Sequence, residues 1–380
     1  MDGGSGLTDL LRDRLLTMVN DRSAIAVLPH VDRVLGGLVV TGAQASARCR
    51  DIRNSYPDLV VAVDLESHTR ATASVATPFG ITTRTGWEWL DAFGLQEVLE
   101  GQLRNRASFA VTPTCFIRHD EAEGDAVLRS VVARANALER DDMVVLLPCS
   151  YKWLQPKSLP TLATWIGACR HPTAVILQSD GDPLKSPGVA EGLRRLCRTC
   201  PRLTVWRTDL AAFDAMAHGA LGGAIGTTAA LRHGMDPARR GGGGSHKAFP
   251  VALVRRILRY VRTSTLLDWF AAMDPWVCEC GVCRGSPLTR FDDTSRSVLA
   301  AMGHNVRCLY TLHRELADTL SGHDRLEWWR QQLDDALAFH QQIARQAQME
   351  IDFPRVLQAW RRASPASLPQ LWGPGRSEPH

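Results

Sequence analysis

Eight short runs of aliphatic and β-branched residues punctuate positions 24–228, and each is apolar almost without interruption. They are AIAVLP (24–29), LVVTG (38–42), LVVAVD (59–64), SFAVTP (108–113), MVVLLP (143–148), TAVILQ (173–178), LTVWRTD (203–209) and GAIGTT (223–228). A strand with one face in water alternates apolar and polar residues, whereas a strand buried on both faces does not. Between most of these runs lie segments with helical spacing, such as GDAVLRSVVARANALE (124–139), SLPTLATWIGACR (158–170) and GVAEGLRRLCRT (188–199). This alternation predicts repeated βα units around a parallel sheet. Eight strands fit an α/β fold of the (β/α)8 TIM-like barrel type, whose active sites collect at the C-terminal strand ends. A doubly wound open sheet is the competing architecture.

The flanks read differently. GLTDLLRDRLLTMV (6–19) has helical spacing and predicts an N-terminal helix within residues 1–23, ahead of a barrel over 24–234. Residues 235–247 (MDPARRGGGGSHK) form a glycine-rich basic loop that cannot pack a core. Residues 248–362 read as a helical subdomain. In it FPVALVRRILRYVRTSTLLDWF (249–270) predicts an amphipathic helix with Arg255, Arg256, Arg259 and Arg262 on its polar side. SRSVLAAMG (295–303), a helix opening at His304, and a long helix over 324–351 follow, and the tail over 363–380 reads as disordered.

Length and 45% hydrophobic content allow a large core. The net charge of +4 permits a nucleic-acid partner without requiring one. No run of 18 apolar residues predicts a membrane span, and the first residues lack the charged and apolar regions of a secretory signal. A cytoplasmic protein with reduced cysteines is therefore expected.

Three of the ten cysteines crowd into Cys278-x-Cys280-x-x-Cys283, and His304 lies about twenty residues on. Three thiolates and an imidazole fill the tetrahedral shell of Zn2+ and leave no open position, so a structural zinc site is expected. His313 is a substitute ligand on the same predicted helix. Cys197-x-x-Cys200 lacks a second pair nearby and reads as buried thiols.

The segment Met273-Asp274-Pro275-Trp276-Val277-Cys278-Glu279-Cys280-Gly281-Val282-Cys283, with His304-Asn305 downstream, resembles the zinc motif of the tRNA-guanine transglycosylases and their DNA-acting relatives. The motif covers about 35 residues, and the Cys283-to-His304 interval is a few residues shorter than is usual there. The resemblance implies a (β/α)8 barrel with a zinc-binding insert. It implies exchange of a guanine in tRNA or DNA for a 7-deazaguanine-type base, with one aspartate attacking C1′ and another managing protons. A purine or 7-deazapurine base and a nucleic acid are then the expected partners, and a homodimer is left open.

Displacing a base at an anomeric carbon needs a carboxylate nucleophile and a proton carrier. Asp64 and Asp209 each end an apolar run and are the candidate catalytic pair, with capping of the next helix as the alternative role. The last run carries no aspartate where the family resembled has its nucleophile, so Asp209, or Asp236 in the glycine loop, would have taken over, or exchange is lost. A noncatalytic relative that binds nucleic acid or a partner subunit is thus the second functional expectation. Gly222, Gly223, Gly226, Thr227 and Thr228 suggest either close backbone approach to a ligand or tight barrel packing. Arg232 and His233 are candidate phosphate contacts on the same rim. Tyr151, Lys152 and Trp153 are candidates to sandwich a flipped base. Arg239, Arg240, Lys247 and the arginines from 255 to 262 would suit a phosphate backbone or a solvated face.

Overall fold

The computed structural model describes residues 5–120, 123–179, 181–239, 249–271, 273–319, 322–347, 351 and 355–363. All but the first residue of the expected tail over 363–380 and the glycines of the basic loop lie outside them, as do Arg240 and Lys247.

Eight parallel strands form one sheet: β1 (Arg14–Asn20), β2 (Gly36–Thr41), β3 (Val61–Asp64), β4 (Ala110–Val111), β5 (Met143–Ser150), β6 (Thr173–Gln178), β7 (Leu203–Thr208) and β8 (Gly222–Gly226). The first strand pairs with the last, from Arg14↔Gly222 to Met18↔Gly226. Elsewhere each strand but β3 pairs with its successor in the chain. The seam between β3 and β4 is bridged by the Ser108 amide donating to the Val61 carbonyl at 2.7 Å and the Val61 amide donating to Ser108 Oγ at 3.0 Å. The result is a nearly closed TIM-like barrel, not an open doubly wound sheet.

Side-chain alternation along the strands explains their continuous hydrophobicity. Leu16, Met18, Val39, Ala62, Phe109, Val111, Val144, Leu146, Ala174, Ile176, Trp206 and Ala224 fill the barrel interior. Leu15, Val19, Leu38, Val40, Val61, Val63, Val145, Leu147, Val175, Val205 and Ile225 face the surrounding helices. Consecutive residues thus enter different cores. Inside, the bulk of Trp206 offsets the small Ala62, Ala174 and Ala224, and its ring lies 6.3 Å from that of Phe109. Trp206→Ala is expected to destabilise the barrel by about 3–5 kcal/mol, through lost burial and an unfilled cavity. Trp206→Phe should cost much less, because the Trp206 Nε1 makes no hydrogen bond. Denaturant melts of both variants check this.

The first strand corrects a sequence expectation. The helix read over 6–19 is a short α1 (Ser5–Leu11) followed by β1, and the strand expected over 24–29 is α2 (Ala24–Val27) plus a single 3-10 turn (Leu28–His30). The break falls at Asp13, whose φ of 53° is left-handed, a conformation aspartate tolerates better than most residues. Six helices continue the βα rhythm: α3 (Ala45–Ser55), α4 (Ala92–Arg104), α5 (Glu123–Asn136), α6 (Leu159–Ala168), α7 (Val189–Thr199) and α8 (Ala211–Ala217). A small hairpin (Gly80–Thr83 with Gly86–Trp89) is inserted after β3. A short α9 (Ala229–Arg232) follows β8.

The C-terminal region has its own core, built on Val254, Ile257, Leu266, Trp269, Cys283, Leu288, Phe291 and Ile343. The amphipathic helix expected over 249–270 is instead an antiparallel pair, β9 (Val251–Val254) and β10 (Arg259–Arg262), followed by α10 (Thr263–Trp269). Its arginines therefore share no helix face. The two helices expected to meet at His304 are one continuous α11 (Ser295–Ala317), with His304 near its middle. Two more helices follow, α12 (Gly322–Ala347) and α13 (Arg355–Arg362). This region is fastened to the barrel by a buried knot. Arg194 of α7 donates to Asp214 of α8 at 2.7 Å, to the Trp360 carbonyl at 2.6 Å and to the Ala363 carbonyl, and Trp329 Nε1 donates to the same carboxylate at 2.8 Å.

Candidate active site and metal centre

The metal centre starts from a tight turn. The amides of Cys283 and Arg284 donate to the Cys280 carbonyl at 3.0 and 2.9 Å, and the Gly285 amide donates to that of Cys278 at 3.0 Å. Arg284 and Gly285 both take positive φ, 50° and 81°, which folds the chain back on itself and turns the sulfurs to one side. His304 Nδ1 lies 3.6, 3.4 and 3.3 Å from the sulfurs of Cys278, Cys280 and Cys283. All four donor atoms lie within 4.8 Å of one another, so this group could hold a metal ion. His304 Nε2 donates to the Leu253 carbonyl at 3.0 Å, which fixes the tautomer and leaves Nδ1 as the ligand atom. The neighbouring Asn305 pairs with the same strand, its Oδ1 accepting from the Leu253 amide at 2.6 Å and its Nδ2 donating to Val251 at 2.8 Å. The His-Asn pair thus locks β9 against α11 while presenting the imidazole. The substitute ligand His313 points elsewhere and donates to the Asp13 carbonyl at 2.8 Å, with burial holding its pKa down to about 4. Cys197 and Cys200 are buried thiols whose pKa values burial raises, and neither belongs to a metal group among the described residues.

At the C-terminal rim of the barrel, a cavity of about 860 Å³ opens between the ends of β6–β8 and the C-terminal region. Asp182 follows β6, Asp209 follows β7, and Arg232 and His233 follow β8, while Arg259, Tyr260 and Arg355 close the far side. The Asp182 carboxyl is pushed up to about 7 by burial first and by Asp209 second, against the opposing pull of the Leu184 amide and Lys185. His233 is held below its usual range by burial, with Asp209 opposing. Arg232 lies 3.7 Å above the Tyr260 ring. Its Nη1 is buried and, like Tyr260 Oη, makes no hydrogen bond. A cavity lined by a protonatable carboxyl, a second carboxyl group, an imidazole and the guanidinium groups of Arg232, Arg259 and Arg355 suits an anionic, proton-exchanging substrate. Nothing in the sequence flagged Asp182, which sits in the loop Ser179-Asp180-Gly181-Asp182-Pro183 as an ordinary turn cap.

A pH dependence follows from Asp182. Its carboxyl holds a proton more tightly in the fold than in an unstructured chain, where 3.8 is the ordinary value against about 7 here. That contribution favours the fold below about pH 4 and is lost as the pH rises through about 7. Asp182→Asn is expected to flatten this decline, so that the variant gains on the parent above neutrality, as denaturant melts on either side of that window would show.

The catalytic pair Asp64 and Asp209 is not brought to one cavity. Asp64 is buried at the end of β3, where its carboxylate accepts from the Glu66 amide at 2.8 Å and lies 3.5 Å from His68 Nε2 and 3.9 Å from Arg207. Burial works against its charge, but His68, Arg207 and the Glu66 amide outweigh it and hold the carboxyl below the usual range. Around it Arg207 donates to Glu66 at 3.0 Å and Gln178 lies 2.9 Å from His68 Nδ1. This is a closed polar network across the barrel mouth, and it gives Asp64 a positioning role for β3, β6 and β7.

The glycines of β8 serve packing and not a ligand. A Cβ on Gly222 would meet the Arg14 and Leu11 carbonyls at 2.7 Å, one on Gly223 would meet Ala212 Cβ at 2.8 Å, and one on Gly226 would meet the Leu231 carbonyl at 2.2 Å. Gly222 is moreover at the start of the strand, away from the C-terminal rim. Thr227 is tied to the Met18 carbonyl through both its amide and its hydroxyl, at 2.9 and 3.1 Å. Tyr151 packs half-buried against the layer between strands and helices, and Trp153 is buried with its Nε1 donating to the Arg118 carbonyl at 3.2 Å. That contact turns the Trp153 ring into the fold, and Lys152 is exposed. Asp236 caps its own turn, accepting from the Ala238 amide at 2.9 Å. Of the basic residues, Arg259 reaches the rim cavity, Arg255 pairs with Glu315, Arg256 lies over Phe339, and Arg262 lies over Phe249.

Fold and site together define a TIM-like barrel with a C-terminal Cys3His cluster. No family model matches the chain, and no curated protein matches it. Among solved structures, the carboxyl transferase domain from Rhizobium etli pyruvate carboxylase with 3-bromopyruvate is similar at 13% identity and a TM-score of 0.39, over 90% of this chain and 57% of that one. The same domain in a second structure gives 11% identity and a TM-score of 0.39, over 90% of this chain and 56% of that one. The chain spans little more than half the length of these neighbours. Among the described residues, no helix is long and apolar enough to cross a membrane.

Proposed function

We propose that this protein is a base-exchanging pentosyltransferase that replaces a guanine in tRNA or DNA with a 7-deazaguanine-type base, using Asp209 as nucleophile and Asp182 as proton carrier. The observation that carries this is the pairing of the two carboxyl groups in one rim cavity lined by Lys185, Arg232, Arg259 and Arg355. The sequence resemblance of the cysteine motif supplies the reaction class. In the proposed cycle the Asp209 carboxylate attacks C1′ as the C1′–N9 bond breaks, and protonated Asp182 gives its proton to the leaving guanine. The incoming base returns a proton to Asp182 as its ring nitrogen attacks C1′ and displaces Asp209. The raised pKa of the buried Asp182 carboxyl suits the proton-carrying role. Arg232 and the other cations lining the cavity suit the backbone phosphates.

The metal is proposed to be Zn2+ in a structural role, because three sulfurs and one nitrogen complete a tetrahedral shell. A cytoplasmic location fits ten cysteines that are all unpaired by disulfides. One observation favours the alternative of a noncatalytic nucleic-acid-binding or partner subunit: β8 consists only of Gly222, Gly223, Ala224, Ile225 and Gly226 and offers no carboxylate.

The test is a trapping experiment. Protein and labelled tRNA or duplex DNA are mixed and denatured, and unlabelled nucleic acid is incubated in parallel with protein and labelled guanine. The enzyme reading expects a covalent protein–nucleic acid adduct and incorporation of labelled guanine. Binding without either leaves the noncatalytic reading.

A further inference from the structure

A fifth donor stands beside the metal centre and outside its four-ligand shell. Cys308 follows His304 by one turn of α11, and its sulfur lies 3.7 Å from His304 Nδ1 and 3.8 Å from Nε2. The sulfurs of Cys278 and Cys280 lie 3.6 and 3.4 Å from the same His304 Nδ1, so the three sulfurs gather around one ring nitrogen. These three thiols, with His304, line one cavity of about 820 Å³, whereas Cys283 is buried and does not line it. Cys278 and Cys280 are half-buried and meet that cavity from the outer side. A structural shell needs four donors, so the fourth thiol in this cluster has no coordination role to fill.

We infer that Cys308 is a resolving thiol that makes the metal centre reversibly sensitive to peroxide. Hydrogen peroxide entering the cavity is attacked by the sulfur of Cys278 or Cys280. The O–O bond breaks, the sulfur becomes a sulfenic acid, and the second oxygen leaves as hydroxide and takes up a proton to become water. The Cys308 thiol then attacks that sulfur, a disulfide forms, and the sulfenic oxygen leaves as water with the thiol proton. Two thiols lose two electrons in all and one peroxide gains them. The shell loses a thiolate, and the ion is released. A thiol reductant reverses the disulfide and lets the ion rebind. Without a resolving thiol next to it, the sulfenic acid would proceed to sulfinic acid, which is not recovered.

The experiment uses the full-length, metal-loaded protein, with metal content measured first. Absence of bound metal would count against the metal assignment itself, separately from the peroxide chemistry. Hydrogen peroxide is added in small excess, released ion is followed with a chromogenic chelator, and the disulfide is mapped by fragmentation mass spectrometry without reduction. The expected result is ion release in step with a disulfide from Cys308 to Cys278 or Cys280, and recovery of metal binding after dithiothreitol and added Zn2+. Cys308→Ser, and Cys308→Ala should the serine fold poorly, are expected to bind metal normally but to lose the disulfide and most of the recovery. A disulfide confined to Cys278, Cys280 and Cys283, a Cys308–Cys283 bond, or recovery that is unchanged in the variants would overturn the assignment. In the parent protein alone, Cys308 that still reacts fully with iodoacetamide after ion release would do the same.

Discussion

Stripping the metal with a strong chelator is expected to loosen the part of the C-terminal region around the Cys3His cluster while the barrel strands stay folded. The cluster joins a turn that has few other anchors to the middle of α11. His304 in turn holds β9 through the Leu253 carbonyl, so losing the ion frees both the turn and the imidazole that organises it. Closed zinc shells contribute folding free energy outright, about 10–16 kcal/mol in isolated zinc-finger peptides. Here part of that is shared with a packed core around Cys283, Leu288 and Phe291. A loss of several kcal/mol for this region is the expected scale, below that range. Hydrogen exchange should report it as lost protection over residues 251–291 and the first half of α11, with β1–β8 unchanged. Cys283→Ala should reproduce the effect without chelator, because this sulfur is buried and water cannot take its place. Unchanged protection after complete metal removal would show that the cluster is ornamental to the fold.

Under the proposed base exchange, Asp209→Asn is expected to lower the rate by about 10^4-fold or more, roughly 5 kcal/mol of transition-state stabilisation at 1.36 kcal/mol per decade. The amide keeps the cap on the Ala211 amide through its oxygen, accepting at 3.1 Å in the parent, so the turn after β7 should survive. Its nucleophilic charge is gone. Asp182→Asn should cost about 10^2–10^4-fold, as removal of a proton carrier does, and should abolish the alkaline limb of the pH–rate profile. Asp64→Asn should behave differently, since Asp64 faces His68 and Arg207 and not the rim cavity. Its effect should fall on stability, with adduct formation retained in the fraction that folds. Retention of the adduct in Asp209→Asn together with its loss in folded Asp64→Asn would reverse the assignment.

Some of this molecule was legible residue by residue. Three cysteines in six residues with a histidine downstream define a ligand set because the spacing is local and the donor types are unusual together. The strand runs were legible because a barrel strand buries both faces, which leaves an uninterrupted apolar signature. The same signature misled at the first strand. In Arg14–Asn20 two leucines are followed by Met18 and Val19, a spacing that also suits one face of a helix. At β9 and β10 the failure came from the turn. Arg255–Ile257 form a 3-10 turn and Leu258 takes φ 46°, so a leucine occupies a position where glycine or asparagine would have announced a hairpin.

The catalytic assignment was the least legible part. Asp64 and Asp209 look equivalent in the sequence, each ending an apolar run, yet one closes a buried ion network and the other lines a cavity. Asp182 looks like a turn cap until β6 and β7 are placed side by side. The sequence alone determined most of the barrel's strand-and-helix rhythm and the donor set of the Cys3His cluster, because burial on two faces and ligand chemistry are properties of short segments. Only the tertiary structure decided which carboxyl groups share a cavity, that the β8 glycines serve packing, and that Cys308 stands beside the cluster. Those are distances between strands and helices far apart in the chain, and no local pattern encodes them.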